Sequence, residues 1–223
     1  MKSKNEVAKI LFLKYWLVGL LFLLTGCQSA YFGAMEKFGV HKRDILVDRV
    51  EDARNAQEDA KEQFKSALEK FSSVLGFHGG ELQDKYETLN DAFEDSEKKA
   101  RDVSERIDAV ESVAEALFDE WESELSQYSS KNLRQTSQRK LNQTRKQYAK
   151  LIGAMQRAEK RIDPVLKVFH DNVLFLKHNL NAKAIASLQS ELVSVESNVG
   201  RLIRDMERSI NEADRFIKTM NKE

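Results

Sequence analysis

Between residues 82 and 128, apolar or small side chains recur at Leu82, Tyr86, Leu89, Phe93, Ser96, Ala100, Val103, Ile107, Val110, Ala114, Leu117 and Trp121, alternating steps of four and three. That is the 3.5-residue period of a coiled-coil seam, and it predicts one long helix. At about 1.5 Å per residue the stretch makes a rod of roughly 70 Å, too long for a compact globule. A stripe this narrow is also unstable without partner helices. Charge points to the first partner. Residues 81–128 hold sixteen acidic and five basic side chains, whereas residues 131–161 hold ten basic ones and a single acid, Glu159. Only Ser129 and Ser130 separate the two blocks, so a helical hairpin with charge-assisted pairing is expected.

Composition extends this reading to the whole chain. Of 223 residues, 32% are charged, nine are glycine and one is proline, which indicates long helices with few breaks. The expected fold is all-α: an elongated antiparallel helical bundle or coiled coil of three to four long helices. Formal charge sums to zero, and the basic block has an acidic neighbour of nearly equal size. No free-standing basic patch is therefore left for nucleic acid, which is excluded as a partner.

The N-terminus carries the strongest short motif. Lys2, Lys4 and Lys9 precede an apolar run from Ile10 to Leu24, interrupted only by Lys14 and Gly19, and the run ends in Leu24-Thr25-Gly26-Cys27. This resembles a bacterial lipoprotein signal peptide, with a basic region, an apolar region and small residues before the cut. The resemblance to the lipobox implies that residues 1–26 are removed and that Cys27, the only cysteine, is acylated on sulfur. An uncleaved membrane helix is the alternative, but the apolar run is shorter than the roughly 20 residues that span a bilayer. In the sorting scheme that the lipobox brings with it, an aspartate after the cysteine favours the inner membrane. Gln28 stands there instead, so the periplasmic face of the outer membrane is the expected location and the inner membrane the alternative.

Residues 27–43 form the lipidated tether, with Tyr31, Phe32, Met35 and Phe38 close together and Gly33 and Gly39 weakening any helix. They are expected to strap the bundle end, since free in water they would be awkward, with an interfacial piece that lays its aromatics against the bilayer surface as the alternative. The bundle itself spans residues 44–223. Its first helix, residues 44–75, starts at Asp44 as N-cap and presents Leu46, Val50, Ala53, Gln57, Ala60, Phe64, Ala67, Phe71 and Val74. Gln57, the one polar member, is expected to set register. Gly76-Phe77-His78-Gly79-Gly80 then reverses the chain. The second helix takes residues 81–128 and the third residues 131–178.

The third seam reads Leu141, Thr144, Tyr148, Leu151, Met155, Ala158, Ile162, Val165, Phe169, Val173, Leu176 and Leu180, with a stutter near its end. Pro164 either kinks this helix or, with Asp163, opens a fresh one as N1 after an N-cap; a kink is preferred because the seam stays in phase. The apolar stretch from Val165 to Leu176 is expected to be buried on most sides. A turn at residues 178–182, bracketed by Asn179 and Asn181, precedes the last helix, residues 182–220. Its seam runs through Ile185, Leu188, Leu192, Val195, Val199, Leu202, Met206, Ser209, Ala213 and Phe216.

Four stretches carry a resemblance over nearly all of the mature chain: Lys42 to Val50, Lys85 to Asn90, Ala116 to Trp121, and Phe175 to Ala182. They resemble a proteobacterial lipoprotein family known only as a domain of unknown function (domain of unknown function 2959). The resemblance implies a helical envelope protein and carries over no catalytic residue.

Little in the chain points to chemistry. His41, His78, His170 and His178 have no metal-ligand spacing, and His170 and His178 lie eight residues apart, not side by side on a helix. Carboxylate pairs such as Glu94 with Asp95 and Asp119 with Glu120 are ordinary on a solvated acidic face. There is no phosphate loop, nucleophile elbow or dinucleotide fingerprint. No catalytic residue, metal site or cofactor is therefore expected. The leading expectation is a lipid-anchored, non-catalytic periplasmic structural or adaptor protein that holds an envelope partner or a second copy of itself. A periplasmic chaperone or hydrophobic-ligand carrier, opening near Val165 to Leu176, is the second, and an enzyme the third. A filled seam favours the first and an apolar cavity near Phe169 to Leu176 the second.

Overall fold

A stripe of apolar residues on a 3.5-residue period can leave water only by lying against other stripes of the same kind. The structure, a computed structural model, shows how this chain does so across residues 41–75, 82–179 and 181–222, the residues it describes. The lipobox with Cys27 and Gln28, the tether up to residue 40, the glycine turn with His78, and Leu180 lie outside the described residues. The chain divides into two compact units, Met1–Ile45 and Leu46–Glu223. Of the first, residues 41–45 are described: the His41 carbonyl accepts from the N–H groups of Asp44 (2.9 Å) and Ile45 (3.1 Å). Helix α1 thus opens at Lys42, and Asp44 lies within its first turn instead of capping it.

Helix α1 is Lys42–Leu75. Helix α2 is Leu82–Glu124, continued by one 3-10 turn, Leu125–Gln127. Helices α3, Lys131–Glu159, and α4, Ile162–His178, form a third rod in two pieces, and α5 is Ala182–Met220. No strand occurs among the described residues. All nine seam positions named for α1 are buried. In α2, Leu89, Ser96, Val103, Ile107, Val110, Ala114 and Leu117 are buried, and Ala92, Val113 and Phe118 widen the stripe so that it meets more than one neighbour. The α5 seam is buried throughout except for half-buried Leu192.

Cross-links between helices fix their directions. Asp59 meets Lys99 at 2.7 Å and Asp52 meets Arg106 at 3.6 Å, so α1 and α2 are antiparallel. Glu122 meets Arg145 at 2.8 Å and the Ser104 hydroxyl donates to Glu159 at 2.6 Å, so α2 and α3 are antiparallel as well. Arg161 pairs with Asp205, and Arg54 with Asp214 at 3.2 Å, which lays α5 against both the third rod and α1. Four long rods therefore pack against one another, alternating up and down. Between α1 and α4 the core is aromatic, with Phe169 ring centroids 6.4 Å from Phe64 and 6.5 Å from Phe71.

Pro164 acts through the residues before it. It is the third residue of α4, has no N–H for the Lys160 carbonyl, and its ring crowds that carbonyl. Lys160 (φ −59°, ψ −16°) and Arg161 (φ −89°, ψ −12°) nevertheless stay right-handed helical, the Arg161 N–H tightening onto Ala158 at 3.1 Å. The helix is interrupted at Lys160 and Arg161 and resumes at Ile162 with Arg161 in the N-cap position, so Asp163 and Pro164 are not cap and N1. Ala158, Ile162, Val165 and Phe169 stay buried across the interruption. At the next turn the Asn179 N–H bonds Leu176, and the Asn181 side chain caps α5 by accepting from the Ala184 N–H at 3.0 Å.

Candidate functional site

The residues that carry the membrane expectation, Cys27 and Gln28, lie outside the described residues, so the candidate surfaces are built from the bundle. No helix of the described residues is long and apolar enough to cross a membrane. Among them, no group of three or more His, Cys, Asp or Glu side chains is placed to hold a metal ion.

The apolar stretch in α4 differs from expectation. Val165, Phe169, Val173 and Leu176 are buried, but Leu174 is 45% and Phe175 39% exposed. Four contiguous apolar residues turn through most of a helical circle, and α4 has neighbours on only part of it. Phe175 edges an open cleft of about 430 Å³ between α4 and α5, lined also by Val168, Asn172, Leu188 and Glu191. Asn172 has its amide turned back onto the Val168 carbonyl at 2.6 Å. On the inner side of this stretch Phe169 packs against Phe64 and Phe71, all three buried. The apolar run Val173 to Phe175 was the signal for this surface; the residues left over after the seam is assigned are the exposed ones.

A second cleft, about 380 Å³, sits beside the helix break and is lined by Glu97, Arg101, Ser104, Glu159, Lys160 and Asp163. Ser104 and Glu159 are joined across it, and Gln156 donates to Glu111 one turn away. The histidines do not assemble: His170 packs its ring 5.4 Å from Phe93, and His178 ends α4. Glu94 accepts from Asn90 at 2.7 Å, an arrangement that ties it to its own helix.

The charge pattern also differs from a simple acidic-on-basic hairpin. The basic side chains of α2 reach the acids of α1, and Arg145 crosses from α3 to Glu122, its guanidinium also 5.4 Å over the Phe118 ring. Glu122 is held below the usual carboxylate range by its hydrogen bond to Arg145. Lys131, Arg134, Lys146 and Lys150, by contrast, are exposed and form no ion pair among the described residues. Net charge along the sequence foresaw attraction between the blocks but not which faces would meet.

At the hairpin end, among the described residues, α2 and α3 run on past the end of α5. Trp121 Nε1 donates to the Ser137 hydroxyl at 2.8 Å, tying α2 to α3. From Ser126 to Lys140 no residue is buried, and Tyr128 and Leu133 are 41% and 58% exposed. This tip was not singled out by periodicity, because its few apolar residues belong to no seam.

The family described as "Protein of unknown function (DUF2959)" matches residues 31–220. No curated protein and no solved structure matches the chain. With most of its length covered, the chain belongs to that family.

Proposed function

We propose that this chain is a lipid-anchored, non-catalytic periplasmic coiled-coil protein, a structural or adaptor component of the bacterial cell envelope. The observation that carries this reading is Leu24-Thr25-Gly26-Cys27 at the end of an apolar run that follows a basic start. The anchor is Cys27, carrying two or more acyl chains such as palmitate, since one chain alone gives marginal binding. Gln28 directs the mature chain to the periplasmic face of the outer membrane. The bundle then acts by holding an envelope protein or a second copy of the chain along its exposed flank, and meets no nucleic acid in that compartment. The buried, mutually packed Phe64, Phe71 and Phe169 rings support a scaffold over a carrier.

The test is metabolic labelling with an alkyne fatty-acid analogue followed by membrane fractionation. Wild-type protein is expected to take label and sediment with the outer membrane. Cys27→Ala should lose the label and keep residues 1–26, and Gln28→Asp should move processed, labelled protein inward. An unlabelled wild-type protein still carrying its first 26 residues overturns the anchor. The second reading, a carrier of hydrophobic ligands, draws on exposed Phe175 beside the α4–α5 cleft. It requires a solvatochromic apolar dye to brighten on binding and Phe175→Ser to abolish the effect.

A further inference from the structure

We infer that the tip of the α2–α3 hairpin, residues 125–140, is a second membrane contact, touching anionic phospholipid headgroups of the leaflet that holds the anchor. This rests on the proposed acylation of Cys27. No acidic side chain occurs from Leu125 to Lys140, and the outermost turn of the tip carries Lys131 and Arg134, both exposed and in no ion pair among the described residues. Tyr128 and Leu133 stand exposed among them. Cations flanking exposed amphipathic and apolar side chains match a membrane interface, where charge meets headgroups and the apolar parts enter the acyl boundary. By the Trp121–Ser137 contact, Asp119, Glu120, Glu122 and Glu124 of α2 lie level with about residues 134–139 of α3, and Glu122 is engaged by Arg145, so the uncompensated cations are those of the outermost turn, Lys131 and Arg134.

Register places the tip where a tether from the membrane can deliver it. From Arg161 opposite Asp205, the end of α5 at Met220 lies level with about residue 146 of α3, so α5 stops short of the tip. From Asp59 opposite Lys99, Leu46 lies level with about residue 112 of α2. The chain thus enters the Leu46–Glu223 unit toward the hairpin end, and the tip lies roughly 27 Å beyond that entry at about 1.5 Å per residue. Residues 28–41 can extend at most about 50 Å, enough for the tip to touch the bilayer while Cys27 stays inserted. Exposed Tyr128 and Leu133 beside the cations, together with the tether's reach, favour lipid over an acidic protein or a second copy.

The test uses the full, lipidated chain. Acylation occupies the sulfur of Cys27, so Leu133→Cys offers one free thiol for an environment-sensitive fluorophore, and Ser194→Cys on α5 offers a reference exposed well away from the tip. Both proteins are reconstituted into vesicles of phosphatidylethanolamine and phosphatidylglycerol containing brominated lipid. Quenching at position 133 is expected to exceed that at 194 several-fold. It should fall to the reference level in the double variant Lys131→Glu, Arg134→Glu, and when phosphatidylcholine replaces the anionic lipid. Equal, weak quenching at both positions while the protein floats with the vesicles overturns the tip contact and leaves the anchor standing. Energy transfer between labelled copies without lipid quenching overturns it in favour of self-association. Protein that fails to float overturns anchor and tip contact together.

Discussion

Gln57 lies in the α1 seam with no exposure, and neither its amide oxygen nor its amide nitrogen has a hydrogen-bond partner. Ser209, in the α5 seam, is equally buried and its hydroxyl is unpartnered as well. A buried polar group left unpaired costs about 1–3 kcal/mol, so its retention in a seam fits a role in setting register more than in adding stability. Gln57→Leu is therefore expected to raise the unfolding free energy by about 1–2 kcal/mol, read from the urea midpoint. A lower midpoint would show that the amide is satisfied and stabilising. Tyr148 makes the other residue-scale prediction. Its ring meets Phe118 edge-on at 5.4 Å, and burial, helped by the nearby charges of Glu111 and Glu115, pushes its hydroxyl pKa up to about 12. The neutral phenol contributes its share of stability fully below the unfolded value near 10, and that share is lost as pH rises toward about 12. Tyr148→Phe should flatten the loss of stability across that window relative to wild type. Parallel pH profiles for the two proteins would contradict it.

The long helices are held by their seams and only trimmed by their charges. Ile107 is 1% exposed at the centre of α2. Ile107→Asp buries an unpaired carboxylate and removes core packing, and should cost about 4 kcal/mol or more. Arg145→Ala removes one exposed ion pair and one cation–π contact, and should cost about 1 kcal/mol or less. Comparable losses in the two variants, measured by thermal unfolding, would mean that the α2–α3 hairpin is held by charge. The α1, α2 and α5 seams were legible in sequence because a 3.5-residue period states directly which side chains share a face. A disturbance near Pro164 was legible, but the place of the helix break was not: proline acts on the carbonyl four residues back, so the helix is interrupted at Lys160 and Arg161. Leu174 and Phe175 were misjudged as buried because an apolar run reports hydrophobicity without saying how many neighbours a helix has.

At the scale of the molecule, membership in the DUF2959 family and a bundle of long antiparallel helices are consistent with one another, and neither specifies a reaction. Candidate surfaces were less legible than the fold. The exposed basic tip depends on helix register, which a sum of charges along the chain does not contain, whereas Cys27 and Gln28 are a local motif readable from sequence alone. The proposed role stands on the processing of that motif. Intact-mass spectrometry of the protein purified from membranes tests it most directly. The account predicts a polypeptide beginning at Cys27, heavier than its unmodified mass by two or more acyl chains bound through that residue. A mass corresponding to an unmodified chain that retains residues 1–26 would contradict it.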